Sequence, residues 1–88
     1  MTHVLIWRNE ARQALSRLRE ADPAGARAVL DAVRALAVEP CPATSRPLGG
    51  SGFRRLLLGD VRVTYAVDED HLAVHVYLVG QVPPRRRR

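Results

Sequence analysis

The spacing of the hydrophobic residues changes once along the chain, and this change constrains the fold more than any other feature. Between residues 9 and 37, apolar side chains recur at the i, i+3, i+4 and i+7 spacing of amphipathic helices. The first stripe contains Ala11, Ala14, Leu15 and Leu18, and the second contains Ala26, Val29, Leu30, Val33, Leu36 and Ala37. We therefore expect two helices, the first with Asn9 as its N-cap and the second ending near Glu39.

The boundary between the two helices falls at Asp22-Pro23. Aspartate is a favourable N-cap, and proline is tolerated at the first position of a helix. The same two residues therefore end the first helix and begin the second. Because the connection is so short, we expect the helices to pair as an antiparallel hairpin.

Strand-like segments lie on both sides of the helices. The stretch "HVLIW", residues 3–7, predicts a first strand, and three more are expected at 53–58, 61–67 and 71–79. Gly59-Asp60 and the polar residues 68–70 form the turns between the last three strands. The remaining stretch, "EPCPATSRPLGGSG" at 39–52, holds three prolines and three glycines, so we expect irregular structure there.

The resulting order of elements is β-α-α-β-β-β. It predicts an α+β fold in which two N-terminal helices form a hairpin packed on a small, mostly antiparallel four-stranded sheet. The last three strands form a meander, whereas the neighbour of the first strand stays open. We expect a single domain over residues 1–88, with 81–88 as a basic tail.

Several classes of protein do not fit this sequence. No apolar run approaches the roughly 20 residues of a membrane helix, and the N-terminus lacks the basic and apolar regions of a secretory signal. We therefore expect a cytoplasmic protein. Cys41 is the single cysteine, which excludes an intrachain disulfide, and the three histidines show no metal-ligand spacing. No metal or cofactor is expected.

The positive charge is concentrated at the C-terminus. All 14 basic residues are arginine, against nine acidic residues, and the last four residues are all arginine. Without those four, ten arginines face nine acids, so the rest of the chain is nearly neutral. A tail that includes Arg85 and Arg86 can bind nucleic-acid phosphates without reading base sequence. The alternative is a solvated chain end.

Three further arginines fall on two neighbouring predicted strands. Arg54 and Arg55 lie on one strand and Arg62 on the next, and a tight turn brings the two strands together. Apolar neighbours of Arg62 predict that its side chain points away from the helices, onto an open face of the sheet. Two interpretations remain: a phosphate-binding patch, or a solvated face where Arg62 pairs with an acid such as Asp60.

His75 and Tyr77 share one face of the last predicted strand. Histidine changes its charge in the physiological range of pH, so this pair is the candidate for acid–base catalysis. The alternative is a half-buried sheet face without a chemical role.

The segment "RRLLLGDVRVTYAVDEDHLAVHVYLVG" combines a basic strand, a Gly-Asp turn, an arginine, a tyrosine and a strand that ends in Val-Gly. In this pattern the chain resembles the RelE/ParE superfamily of bacterial toxins. The matching residues are Gly59, Asp60, Arg62, Val63, Tyr65 and Gly80. The N-terminal half agrees with the superfamily in the order and length of its elements, so the resemblance covers nearly the whole chain. It is closer to the RelE-like branch.

Members similar to RelE cleave mRNA in the ribosomal A site, whereas members similar to ParE inhibit DNA gyrase. The resemblance therefore implies the toxin of a type II toxin–antitoxin system, acting as a ribosome-dependent mRNA endonuclease. It assigns catalysis to Arg62 and Arg55, which would bind the scissile phosphate and stabilise the transition state. The further candidates for RNA and phosphate binding are Arg46, Arg54, Arg85 and Arg86.

The resemblance also implies a cognate antitoxin that wraps the toxin and shields its basic face, and a heterotetramer is one expected assembly. Two departures from the family pattern leave alternatives open. Leu57 stands at the position of a second basic residue, and the C-terminal tyrosine of active ribonucleases has no counterpart. The alternatives are a non-enzymatic gyrase inhibitor similar to ParE, or a degenerate toxin that only binds its antitoxin.

Overall fold

The computed structural model describes residues 2–81 of the chain. Two helices lie between a first short strand and four later ones, in the order β-α-α-β-β-β-β. The elements are β1 (Val4–Trp7), α1 (Asn9–Ala21), α2 (Pro23–Leu36), β2 (Ser45–Pro47), β3 (Phe53–Leu58), β4 (Val61–Asp68) and β5 (Ala73–Gln81).

All five strands belong to one sheet, in the order β1-β5-β4-β3-β2. The three long strands form the expected antiparallel meander, and β1 joins it by parallel pairing with β5. The predicted α+β fold is confirmed. The sheet has five strands rather than four because β2 forms inside the Pro- and Gly-rich stretch expected to be irregular, pairing antiparallel with β3.

The helix hairpin covers one face of the sheet, and the hydrophobic core lies between the two layers. Alternate residues of the central strands face the helices because strand side chains point to opposite faces in turn. The largest fully buried side chains are Tyr65, Leu36, Leu56, Val29, Val33, Val63, Val74 and Val76. The opposite face is left open among the described residues; we call it the open face.

The helix boundary at Asp22 is confirmed, because its Oδ1 accepts a hydrogen bond from the Gly25 backbone N–H at 3.0 Å. The prediction of Asn9 as an N-cap is wrong. Arg8 occupies the cap, and Asn9 is the first helical residue, with its Oδ1 accepting from Arg12 Nη2. The second helix ends at Leu36, earlier than expected.

β5 begins at Ala73 because residues 69–72 form the turn, where Leu72 has a positive φ of 50°. It extends to Gln81, past the predicted end at residue 79. Neither described helix has the length and apolar character needed to cross a membrane. Most of the predicted basic tail, residues 82–88, lies outside the described residues.

Candidate functional site: an arginine row and an aromatic cluster on the open face

Three arginines lie on neighbouring strands of the open face. Arg55 on β3 pairs with Arg46 on β2 and with Thr64 on β4, so Arg46, Arg55 and Thr64 lie side by side across the sheet. Arg62, two residues before Thr64, pairs with Leu57 and lies on the same face. We call Arg46, Arg55 and Arg62 the arginine row.

The arginine row is a site of uncompensated positive charge. Arg46 and Arg62 are exposed, and Arg55 is half-buried with its Nε shielded from solvent and without a hydrogen-bond partner. Between residues 2 and 81, no carboxylate oxygen lies within 4.0 Å of these three guanidinium groups. The alternative pairing of Arg62 with Asp60 is therefore not formed in the structure. Free guanidinium groups in this arrangement suit phosphate oxygens.

Arg54 does not join the arginine row. It pairs with Pro47 and Tyr65, which places its side chain on the helix side of the sheet. Its Nε and Nη2 donate to Ser45 Oγ at 3.1 and 2.9 Å. Through these hydrogen bonds Arg54 holds the short edge strand β2 to β3. Arg85 and Arg86, the other predicted phosphate-binding residues, lie outside the described part of the chain.

Tyr77 lies on the open face at a β-bulge. Thr64 pairs with Leu78 but Tyr65 pairs with Val76, so Tyr77 is the extra residue in β5. Its ring meets Phe53 edge-on, with centroids 5.1 Å apart, and stacks on His75 at 6.2 Å. Phe53 and His75 both pair with Ala66 on the strand between them, and its small side chain leaves room for the rings. We call Phe53, His75 and Tyr77 the aromatic cluster.

Arg8 adds a fourth side chain to this cluster. Its guanidinium carbon lies over the Tyr77 ring, 5.4 Å from the centroid, in a cation–π contact. Neither Arg8 nor Phe53 was predicted as a site residue. Strand alternation indicated which face both residues share with their neighbours, because Ile6 and Arg8 fall on one face of an extended chain, as do Phe53 and Arg55. This pattern could not be interpreted without knowing where β1 joins the sheet.

The arginine row and the aromatic cluster adjoin. Arg55 is paired with Thr64, and His75 with Ala66, two residues further along β4. Along the strands, Arg55 and His75 are two residue positions apart, roughly 7 Å, and the two strand spacings between β3 and β5 add roughly 10 Å across the sheet. Arg62, on β4 next to β5, is four positions from His75, roughly 13 Å along the strands. The open face thus carries the arginine row and the imidazole of His75 on one surface. His75 Nδ1 is shielded from solvent without a hydrogen-bond partner.

A second histidine–acid contact lies elsewhere, at the turn between β4 and β5. Asp68 accepts hydrogen bonds from the His71 backbone N–H and makes a 2.9 Å contact with His71 Nδ1. These hydrogen bonds lower the pKa of the Asp68 carboxyl below its ordinary value, so it is ionised at neutral pH and is not a proton donor. Residues 2–81 contain no cluster of three or more His, Cys, Asp or Glu side chains able to hold a metal ion.

Comparison with known proteins identifies the class of this fold and site. The fold matches the archaeal RelE–RelB complex of Pyrococcus horikoshii with a TM-score of 0.81 and 25% identity, covering 97% of this chain and all of that one (100%). It matches the RelBE2 toxin–antitoxin complex of Mycobacterium tuberculosis with a TM-score of 0.78 and 25% identity, over 92% and 99% of the two chains. The isolated Escherichia coli RelE toxin shares the fold at 15% identity, with a TM-score of 0.82 over 96% of this chain and 88% of that one.

These similarities define a toxin of the RelE/ParE superfamily, as the sequence resemblance implied. The profile of one family, described as the ParE toxin of the type II toxin–antitoxin system parDE, matches residues 5–81. The chain belongs to this family and is the toxin component of a type II toxin–antitoxin system. A search of curated protein sequences finds no significant match.

Proposed function

We propose that this toxin cleaves mRNA on the ribosome and is neutralised by a cognate antitoxin. The observation that carries the proposal is the arginine row, three guanidinium groups without a carboxylate partner among residues 2–81, on the same face of the sheet as His75 and Tyr77. Similarity to RelE proteins that form complexes with RelB supports the antitoxin. A negatively charged antitoxin segment and an RNA phosphate would compete for the same cations.

The proposed reaction is a transesterification of the RNA backbone. The 2′-hydroxyl attacks the adjacent phosphorus, and the bond from phosphorus to the 5′-oxygen breaks. The products are a 2′,3′-cyclic phosphate and a free 5′-hydroxyl. One group must take the proton of the 2′-hydroxyl, and another must give a proton to the departing oxygen.

The arginine row supplies charge stabilisation in this reaction. Arginine stays protonated, so Arg55 and Arg62 bind the phosphate and stabilise the negative charge of the transition state rather than exchange protons. Arg55 lies on β3 and His75 on β5, and in this proposal the reacting phosphate binds between them, over β4. His75 is the candidate for proton transfer, with Tyr77 beside it.

The first test is to map new 5′ ends in bacterial mRNA by primer extension after a short induction of the toxin. We expect cuts inside translated codons for the wild type and their loss in Arg62→Ala. Arg27→Ala is the matched control, because Arg27 is exposed on α2 and pairs with Asp31 away from the open face. It should retain the full pattern of cuts.

Inhibition of DNA gyrase is the second candidate, and it is favoured by the match to a family described as ParE toxin. The long separation of Arg62 from His75 also fits a binding role for that arginine. Growth arrest without codon-specific cuts, together with a loss of plasmid supercoiling, would replace the nuclease proposal with this one. Normal growth with neither effect would leave antitoxin binding as the function of the open face.

A further inference from the structure

Arg8 is an unpaired cation that the proposed cleavage does not use. It follows β1 directly, and its backbone N–H donates to the Val76 carbonyl at 2.9 Å, so its Cα is fixed to the edge of the sheet. Ile6, two residues earlier, pairs with His75. Alternation along the extended chain therefore directs both Ile6 and Arg8 to the open face, beside the aromatic cluster.

The aromatic cluster restricts the orientation of the Arg8 side chain. The guanidinium lies over Tyr77, and that ring is itself in edge contact with Phe53 and stacked on His75. An arginine stacked on a fixed ring loses few further conformations when its N–H groups form hydrogen bonds. The contact thus prepares Arg8 for a ligand that accepts in the plane of the guanidinium.

The N–H groups of Arg8 are available for such a ligand. Arg8 is exposed, and no carboxylate among residues 2–81 lies within 4.0 Å of its guanidinium. No side-chain hydrogen bond from Arg8 is formed to the described residues either. These donors lie beside the aromatic rings of the cluster, and hydrogen-bond donors next to aromatic rings are a combination that binds the bases of single-stranded RNA.

We infer that Arg8 and the aromatic cluster bind one unpaired base of the RNA, and that Arg8 selects guanine. Two parallel N–H groups of arginine match the O6 and N7 acceptors of guanine, whereas the corresponding edge of adenine presents one acceptor, N7, beside an amino donor. The inference rests on the proposed function, because it takes single-stranded RNA as the molecule that crosses the open face. It adds a specificity residue to the reaction.

The test is the binding of short 2′-O-methyl oligoribonucleotides, which lack the attacking hydroxyl, measured by fluorescence anisotropy. The strands are heptamers of uridine with guanine, adenine or 7-deazaguanine at the central position. We expect the wild type to bind the guanine strand about tenfold more tightly than the adenine strand. The 7-deazaguanine strand, which lacks the N7 acceptor, should lose most of that preference.

Two variants separate recognition of the base from attraction between opposite charges. Arg8→Lys keeps the positive charge but not the planar pair of donors, so it should bring the guanine and adenine strands within about twofold of each other. Arg62→Ala should weaken both strands equally, because a phosphate contact does not distinguish bases. Arg27→Lys, on the far side of the molecule, should behave as the wild type.

Equal affinity of the wild type for guanine and adenine strands overturns the inference, and so does a guanine preference that survives in Arg8→Lys. A variant that keeps the preference but loses affinity for the antitoxin makes Arg8 a contact to an acidic protein instead. Absence of binding to every strand also overturns it. Failure of the proposed cleavage gives a different result. Translated mRNA would then show no Arg62-dependent cuts, while the wild type would still prefer the guanine strand and Arg8→Lys would not.

Discussion

The hydroxyl of Tyr65 donates a 2.6 Å hydrogen bond to the carbonyl oxygen of Pro40, from a ring that is fully buried. Tyr65 belongs to the pattern by which the chain resembles its superfamily, yet it lies on the helix side of the sheet, away from the arginine row. Its contact ties the loop after α2 to the central strand β4. Tyr65 therefore contributes to the fold and is not part of the open face.

We expect Tyr65→Phe to lower the free energy of unfolding by about 1–2 kcal/mol, because it leaves the carbonyl of half-buried Pro40 without its donor. Tyr77→Phe is the matched control. It removes a hydroxyl for which the described residues provide no partner, and should change stability by less than about 0.5 kcal/mol. Urea denaturation of both variants measures the difference. Equal values for the two would show that the Tyr65 hydrogen bond contributes nothing.

Strand alternation predicted part of the site at the level of residues. It placed Arg54 and Arg55 on opposite faces and Arg62 on the open one, but the choice between Arg54 and Arg55 required the register of β3 against β4. Arg8 could not be assigned, because its neighbours come from β5, which is distant in sequence. Local pattern determines which face a side chain takes, while pairing between distant segments determines what lies next to it.

At the scale of the elements, the sequence pattern could not predict β2 or the bulge in β5. β2 has only three residues, one of them a proline, and it is held by pairing with β3 and by the Arg54–Ser45 contact. The bulge shifts the alternation by one residue, so that Val79 returns to the core and Leu78 becomes exposed. The helices were easier to predict because their stripes are long and Asp22-Pro23 marks their boundary.

The start of α2 gives a prediction at this scale. A Cβ added at Gly25 would lie 2.5 Å from Asp22 Oδ2, the carboxylate that caps the helix. Gly25→Ala should therefore be nearly neutral, since the usual gain of about 0.5–1 kcal/mol for glycine to alanine in a helix is offset by the disturbed cap. In an Asp22→Ala background the same change should give the full gain.

Asp22→Ala alone should cost about 1 kcal/mol, as the loss of an aspartate N-cap generally does. Chemical denaturation of the two single variants and the double variant completes the cycle. If Gly25→Ala raised the free energy of unfolding equally in the wild-type and the Asp22→Ala backgrounds, the Asp22 carboxylate would have moved aside without losing its hydrogen bond.

At the scale of the whole molecule, the distribution of charge matters more than its total. Outside the last four residues the chain is nearly neutral, yet the arginine row is free of carboxylates among residues 2–81. We expect replacement of Arg85–Arg88 by glutamine to weaken RNA binding of every sequence and to reduce the slope of log affinity against log salt by up to about 3.

Anisotropy titrations at several sodium chloride concentrations measure that slope, with Arg27→Gln as a control for the loss of a single exposed charge. The tail variant should keep the guanine preference, since phosphate contacts do not distinguish bases. An unchanged slope would show that the four arginines are solvated and do not contact RNA.

The parallel pairing of β1 with β5 has a consequence for synthesis of the toxin. Val4, among the first residues to be made, has Ala73 as its partner, and β5 runs on to Gln81. The sheet cannot close, and Arg8 cannot reach Tyr77, until nearly the whole described chain has left the ribosome that makes it. The open face is therefore assembled only late in synthesis, and a nascent chain that stops before β5 lacks both the pairing of β1 and the Arg8–Tyr77 contact.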